Sequence, residues 1–209
     1  MKYIREYLDM IKDEPFKMCK EQKQLAKFIE KIFKEGKDNL YVDEEKAEKY
    51  LSYEKYFPFA LFPWEKFLIV LMLCVYTIDT HLPRFSTLFC LVGRGAGKNA
   101  LISYIVFCLS TEANNIQNYN VDIVANSEEQ AKTSFNDIYN VLANTKYKNK
   151  FKKNFYWNKE QITNLKTNSI IKFKTSNAKS ADGLRPGAVV FDEIHQYESY
   201  KLIDVQRTG

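Results

Sequence analysis

At 209 residues the chain has room for one good-sized domain with a small appendage, and its 45% hydrophobic and 27% charged residues suit an ordinary folded protein. It has no internal repeat, low-complexity tract or CxxC spacing, and with only two histidines a His-rich metal centre is not expected. The net charge of +5 is uneven: residues 146–174 carry nine Lys against the single acid Glu160, a local +8 that leaves −3 elsewhere.

The N-terminus, MKYIREYLDM, has no signal-peptide core. Ile4, Tyr7, Leu8 and Ile11 recur at helical spacing, as do Leu25, Phe28, Ile29, Ile32 and Phe33, so two amphipathic helices are expected. A third fits 43–56, with Asp43 as its N-cap. Pro58 and Pro63 break the next stretch, and an apolar helix follows over 64–78. Its uncharged run, 67–78, is 12 residues long, whereas a bilayer span needs roughly 20. It reads as a core helix. Cys19, Cys74, Cys90 and Cys108 read as reduced residues of an intracellular protein, three of them within apolar runs.

From residue 87 the pattern changes. TLFCLV (87–92) predicts a strand buried on both faces, and 97–109 a helix directly after it. VDIVA (121–125) predicts another strand. SEEQ (127–130) is a capping box opening a helix whose apolar face is Ala131, Phe135, Ile138, Tyr139 and Leu142. Residues 169–175 alternate like a half-exposed strand, and AVVFD (188–192) reads as a buried one. Such alternation predicts an α/β fold with a mostly parallel central sheet, preceded by a helical segment over 1–63.

Two stretches carry chemistry. GRGAGK (93–98) lies between a predicted strand and a predicted helix, as a phosphate-binding loop does. Gly95 and Gly97 permit backbone N–H groups to turn inward on an anion, and Lys98 brings a cation to it. Two features depart from the GxxxxGK[ST] pattern: Val92 stands where the first glycine belongs, shifting it to Gly93, and Asn99 replaces the hydroxyl residue that would ligate Mg²⁺. An amide oxygen can serve the metal from a longer arm. For the stretch alone, the alternative reading is an ordinary glycine-rich strand-to-helix turn. The second stretch, AVVFDEIH (188–195), ends an apolar strand in Asp192 and Glu193, the metal-holding acid and the water-activating base that nucleotide hydrolysis needs. A strand end capped by solvated acids looks the same. Together the two motifs predict a P-loop ATPase over residues 64–209.

In their order, these blocks resemble the large terminase subunit of tailed bacteriophages, the ATP-driven DNA-packaging motor. YIREYLDMI and CKEQKQLAKFIEKI are similar to that family's N-terminal helices, and FALFPWEKFLIVLML to its adenine-site segment. VGRGAGKN resembles its Arg-containing phosphate loop, and SADGLRPGAVVFDEIH the approach to its acidic motif. The resemblance implies that Gly93, Arg94, Gly95, Ala96, Gly97 and Lys98 bind the phosphates of ATP. Arg94 would sense the γ-phosphate, Asn99 and Asp192 position Mg²⁺, Glu193 activate water, and Trp64 and Glu65 lie at the adenine. The family's glutamine is Glu65 here, which leaves base selectivity open.

It further implies a homo-oligomeric ring on the portal protein, a small terminase subunit and double-stranded DNA as partners, no membrane, and a place in the bacterial cytoplasm. The family's coupling motif and nuclease domain are not among these residues, so an incomplete sheet and no nuclease activity are expected. A helicase-like ATPase, or a non-enzymatic remnant that binds nucleotide or DNA, is the alternative reading. Aromatics interleave the lysines of 146–174, which suits either DNA-backbone contact or a solvated face over a core. Arg185 and His195 read as a turn residue and a structural one.

Overall fold

A computed structural model describes residues 1–36, 38–175, 186–197 and 203. The chain divides into two compact units, one of residues 1–54 and 59–92, the other of residues 55–58 and 93–209.

In the first unit, α1 (Lys2–Asp13) buries Ile4, Tyr7, Leu8 and Ile11, the face its spacing predicts. α2 (Lys20–Glu35) differs from expectation. Ala26 and Ile29 are its buried residues, while Leu25 and Phe28 face solvent. α2 packs on α1, where the Gln22 amide donates to the Tyr7 hydroxyl at 3.0 Å and Lys12 pairs with Glu30. α3 (Glu44–Leu51) starts at Asp43, whose carboxylate accepts from Lys46 N at 2.9 Å. α4 (Pro63–Cys74) is the apolar core helix, packed on α1 with Tyr7 against Phe67.

The helix predicted to reach residue 78 stops at Cys74. Val75–Thr77 is strand β2, paired antiparallel with β1 (Leu40–Val42). Val75 and Thr77 are β-branched and flank Tyr76, so local preference favours a pleat once a partner strand is present. Tyr76 stacks on Tyr41 across the pair, ring centroids 5.6 Å apart.

Residues 87–92 form no strand. Phe89 and Leu91 are 76% and 87% exposed. An apolar run becomes a strand only when another strand pairs with it, and neither described sheet includes residues 87–92.

The second unit is built on a five-stranded sheet ordered β4 (Phe155–Trp157), β5 (Gln161–Asn164), β6 (Ile170–Thr175), β3 (Val121–Ala125) and β7 (Ala188–Phe191). It is mixed, not mostly parallel: β6, β3 and β7 run parallel, whereas β4, β5 and β6 form an antiparallel meander. The meander's loop, 164–169, explains the antiparallel turn-back. Asn164 Oδ1 accepts from Lys166 N and Thr167 N, and its amide donates to Ser110 O at 2.8 Å. Every residue of β3 is buried, as expected of a central strand, whereas β7 is half-buried at the sheet's edge.

α5 (Lys98–Ser110) and α6 (Glu128–Ala143) form where predicted. Ser127 and Gln130 close the capping box at the start of α6, and Phe135 packs edge-on to Phe173 of β6. The short α7 (Lys148–Phe151) sends Phe151 into a ring cluster with Phe107 and Phe155. Phe151 and Phe155 therefore belong to the core, whereas Lys148, Lys150, Lys152, Lys153 and Tyr156 are exposed.

Candidate active site

The parallel register aligns the C-terminal ends of β3 and β7, with Val124 opposite Phe191. Ligands of open parallel sheets gather at that end, and the next residue on β7's side is Asp192. Its N–H donates to Val124 O at 2.8 Å, continuing the ladder one step past the strand. Glu193 then adopts φ 51°, a left-handed conformation uncommon outside glycine, and Ile194–Gln196 form a single tight helical turn.

The glycine loop lies in the same unit. Gly95 (φ 78°) and Gly97 (φ 93°) take conformations that a side chain would resist, and Ala96 N closes on Gly93 O at 3.3 Å. Gly97 ends the loop as the N-cap of α5, so Lys98 is the first residue of a helix whose free N–H groups face the loop.

Lys98 meets both acids. Its ammonium hydrogen-bonds Glu193 Oε1 in a very short contact and lies 2.8 Å from Asp192 Oδ1, off the axis of a good hydrogen bond and therefore as an ion pair. His195 Nδ1 sits 3.4 Å from Glu193 Oε2. Asp192 is 5% exposed, while Lys98 and Glu193 are half-buried.

The electrostatics follow from this contact. Burial works against the Lys98 charge, but its close contacts with the carboxylates of Asp192 and Glu193, and their charges, outweigh it and raise its pKa above the usual lysine value. The hydrogen bond from Lys98 holds the Glu193 carboxyl below the usual carboxylate range. Burial opposes that shift, and the charges of Lys98, His195 and Arg94 add to it.

Arg94 is exposed at the crest of the loop, beside the half-buried Ala96 and the exposed Gly93 and Gly95. Asn99, the second residue of α5, is half-buried. Trp64 and Glu65 open α4 in the other unit. Glu65 is buried, and its Oε2 accepts from Phe62 N at 2.7 Å, a bond that caps the start of α4. Burial raises its pKa, opposed by that bond and assisted by Glu54. Oε1 has no partner among the described residues. Arg185 lies outside the described residues.

Two contributors to this region escape sequence reasoning. Tyr197 is buried and its hydroxyl donates to Val124 O at 2.8 Å, the same carbonyl that Asp192 N–H uses. Gln196 accepts from Gln130 of α6 at 3.0 Å. Neither belongs to a spacing motif, and a backbone carbonyl as acceptor leaves no signature in sequence.

A glycine-rich turn at a helix N-terminus, a lysine and two carboxylates together suit phosphoryl chemistry. Comparison with known proteins narrows this. The family model described as "Terminase large subunit, ATPase domain" matches residues 63–209. The chain belongs to the terminase large subunit ATPase-domain family. The fold of the HK97 bacteriophage large terminase, known from a crystal structure, is similar at a TM-score of 0.63 and 21% identity, over 80% of this chain. This terminase chain corresponds to 35% of that protein's length. No curated protein matches it. Among the described residues no three His, Cys, Asp or Glu cluster as a metal site, and no helix is long and apolar enough to cross a membrane.

Proposed function

We propose that this terminase domain binds ATP with Mg²⁺ at the 93–99 loop and hydrolyses it, and that in the assembled motor the hydrolysis drives double-stranded DNA into a procapsid. The observation that carries the reading is the convergence of Lys98 with Asp192 and Glu193, 94 and 95 positions apart in sequence, beside a glycine loop at a helix N-terminus.

The residues fit the substrate. Loop amides and the α5 N-terminus offer donors and positive potential to the β- and γ-phosphates, and Lys98 exchanges its carboxylate partners for phosphate oxygens. Arg94 adds positive charge where the γ-phosphate leaves. They fit the metal too, since Mg²⁺ takes a few hard oxygens from protein and the rest from phosphate and water, and Asp192 with Asn99 supplies such donors. When bound, it neutralises phosphate charge.

Glu193, its carboxyl kept ionised, accepts the proton of the attacking water as the oxygen approaches the γ-phosphorus in line with the leaving oxygen. ADP and phosphate result. Trp64 and Glu65 hold the adenine. A carboxylate at 65 accepts from the base's amino group but donates nothing to its ring nitrogen, so discrimination against other purines should be weaker than a glutamine would give. The partners proposed are double-stranded DNA, the portal protein, the small subunit and further copies of the chain in a ring, at the portal within the bacterial cytoplasm.

Phosphate release by the purified chain tests this. Glu193→Gln should lower kcat by roughly 10²- to 10⁴-fold, the range of a lost general base. Lys98→Ala should abolish turnover. Equal rates in all three proteins would overturn the reading.

A further inference from the structure

Glu193 occupies an unfavourable backbone conformation for a residue with a side chain, and such strain persists only where the surroundings hold it. Two anchors do so, and both converge on one atom. On the upstream side, Asp192 N–H donates to Val124 O at 2.8 Å. On the downstream side, the Tyr197 hydroxyl donates to the same oxygen, also at 2.8 Å. The intervening turn is closed by Gln196 N to Glu193 O at 2.8 Å and Tyr197 N to Ile194 O at 3.2 Å. Residues 192–197 are thus a loop pinned at both ends to the last turn of the buried strand β3.

We infer that Tyr197 is a positioning residue for Glu193: its hydroxyl bond to the Val124 carbonyl fixes the turn that presents the Glu193 carboxylate to the phosphate site. Resting on the ATPase reading above, this adds a residue outside both sequence motifs. Three further features favour it. Tyr197 is 6% exposed, so water does not compete for its hydroxyl. Its ring packs edge-on to Phe191 at 6.4 Å, which helps to hold the ring and so the position of the hydroxyl oxygen. Burial, with the Asp192 charge adding, raises the phenol pKa, so the hydroxyl is protonated and able to donate at neutral pH. Apart from the contacts of the Glu193 carboxylate itself with Lys98 and His195, the turn is also tied by the Gln130–Gln196 side-chain bond, and that bond is exposed.

Tyr197→Phe removes the donor while keeping the ring, and Val124 O retains Asp192 N–H, so the fold should survive. In the 209-residue chain, kcat for ATP should fall about tenfold, the rate equivalent of one lost hydrogen bond felt in the transition state. Affinity for a non-hydrolysable ATP analogue should stay within about twofold, because the loop is untouched. In a Glu193→Gln background the same change should add nothing, since the group it positions is gone. A merely structural tyrosine would instead lower affinity and rate together, and would act equally in both backgrounds; either result overturns the inference. Wild-type turnover with a Tyr197→Phe rate equal to it also overturns the inference but leaves the ATPase reading standing. An inactive wild-type chain removes that reading and this one with it.

Discussion

Lys98 and Glu193 each hold the other in its charged form, and that coupling fixes a pH window. The Glu193 pKa is depressed, so its stabilising contribution is complete above the unfolded carboxylate value, about 4.3, and is lost as pH falls through the lower folded value. The Lys98 pKa is raised, so its share is complete below the unfolded lysine value, about 10.4, and is lost as pH rises through the higher folded one. Between about pH 5 and 10 the pair should therefore contribute a flat increment to the stability of the nucleotide-free protein. Melting curves of wild type and Glu193→Gln across pH should differ by a constant amount inside that window and converge in acid. A difference that grows as pH falls from 7 to 3 would contradict the pairing. At this scale the sequence was informative where chemistry dictated residue type: the loop glycines, the lysine and the acid pair were visible as motifs. Tyr197 was not, because its role lies in a hydrogen bond to a carbonyl that any residue at 124 would supply.

Among the elements, β7 delivers the acids and is itself set by a close approach at its start. A Cβ on Gly187 would lie 2.5 Å from Tyr119 Cδ2, and Gly187 N donates to Asn120 O at 2.8 Å. Gly187→Ala should destabilise by about 1–3 kcal/mol, measurable by chemical denaturation, through overpacking against that ring. Tyr119→Ala in the same background should recover part of the loss. A Gly187→Ala protein as stable as wild type would show that the ring moves aside freely.

The legibility of each element tracked its hydrogen-bond partners. α1, α3, α5 and α6 were readable because caps and 3.6-residue periodicity are local. β3 and β7 were readable as apolar runs between turn residues. The run 87–92 is apolar, as β3 largely is, but joins neither described sheet, so composition misled. β4 and β5 are three and four residues long, and in a lysine-rich stretch they carry too little apolar pattern to announce the meander that makes the sheet mixed.

Across the whole molecule, charge is sorted by position. The lysines of 146–174 are not equivalent: Lys166 pairs with Glu112 and Lys174 with Asp122, whereas Lys148, Lys152 and Lys153 are exposed with no acid partner among the described residues. Lys150 is exposed too and reaches the Tyr56 hydroxyl. With Phe151 and Phe155 in the core, a DNA contact here would be made by charge and would carry no sequence preference. Reversing Lys148, Lys152 and Lys153 to Glu should weaken DNA binding at least tenfold at low salt and flatten its salt dependence. Titration of labelled duplex at several salt concentrations measures both. Unchanged affinity would assign the lysines to solvation alone.

The glycine loop, Lys98 and the acid pair can be observed together in one experiment. A crystal structure of this chain with Mg²⁺ and a non-hydrolysable ATP analogue should show the triphosphate against the amides of residues 95–99. The Lys98 ammonium should have moved from Glu193 onto phosphate oxygens, with Asp192 beside the metal. Nucleotide bound elsewhere, or Lys98 still paired with both carboxylates beside an occupied loop, would contradict a shared site.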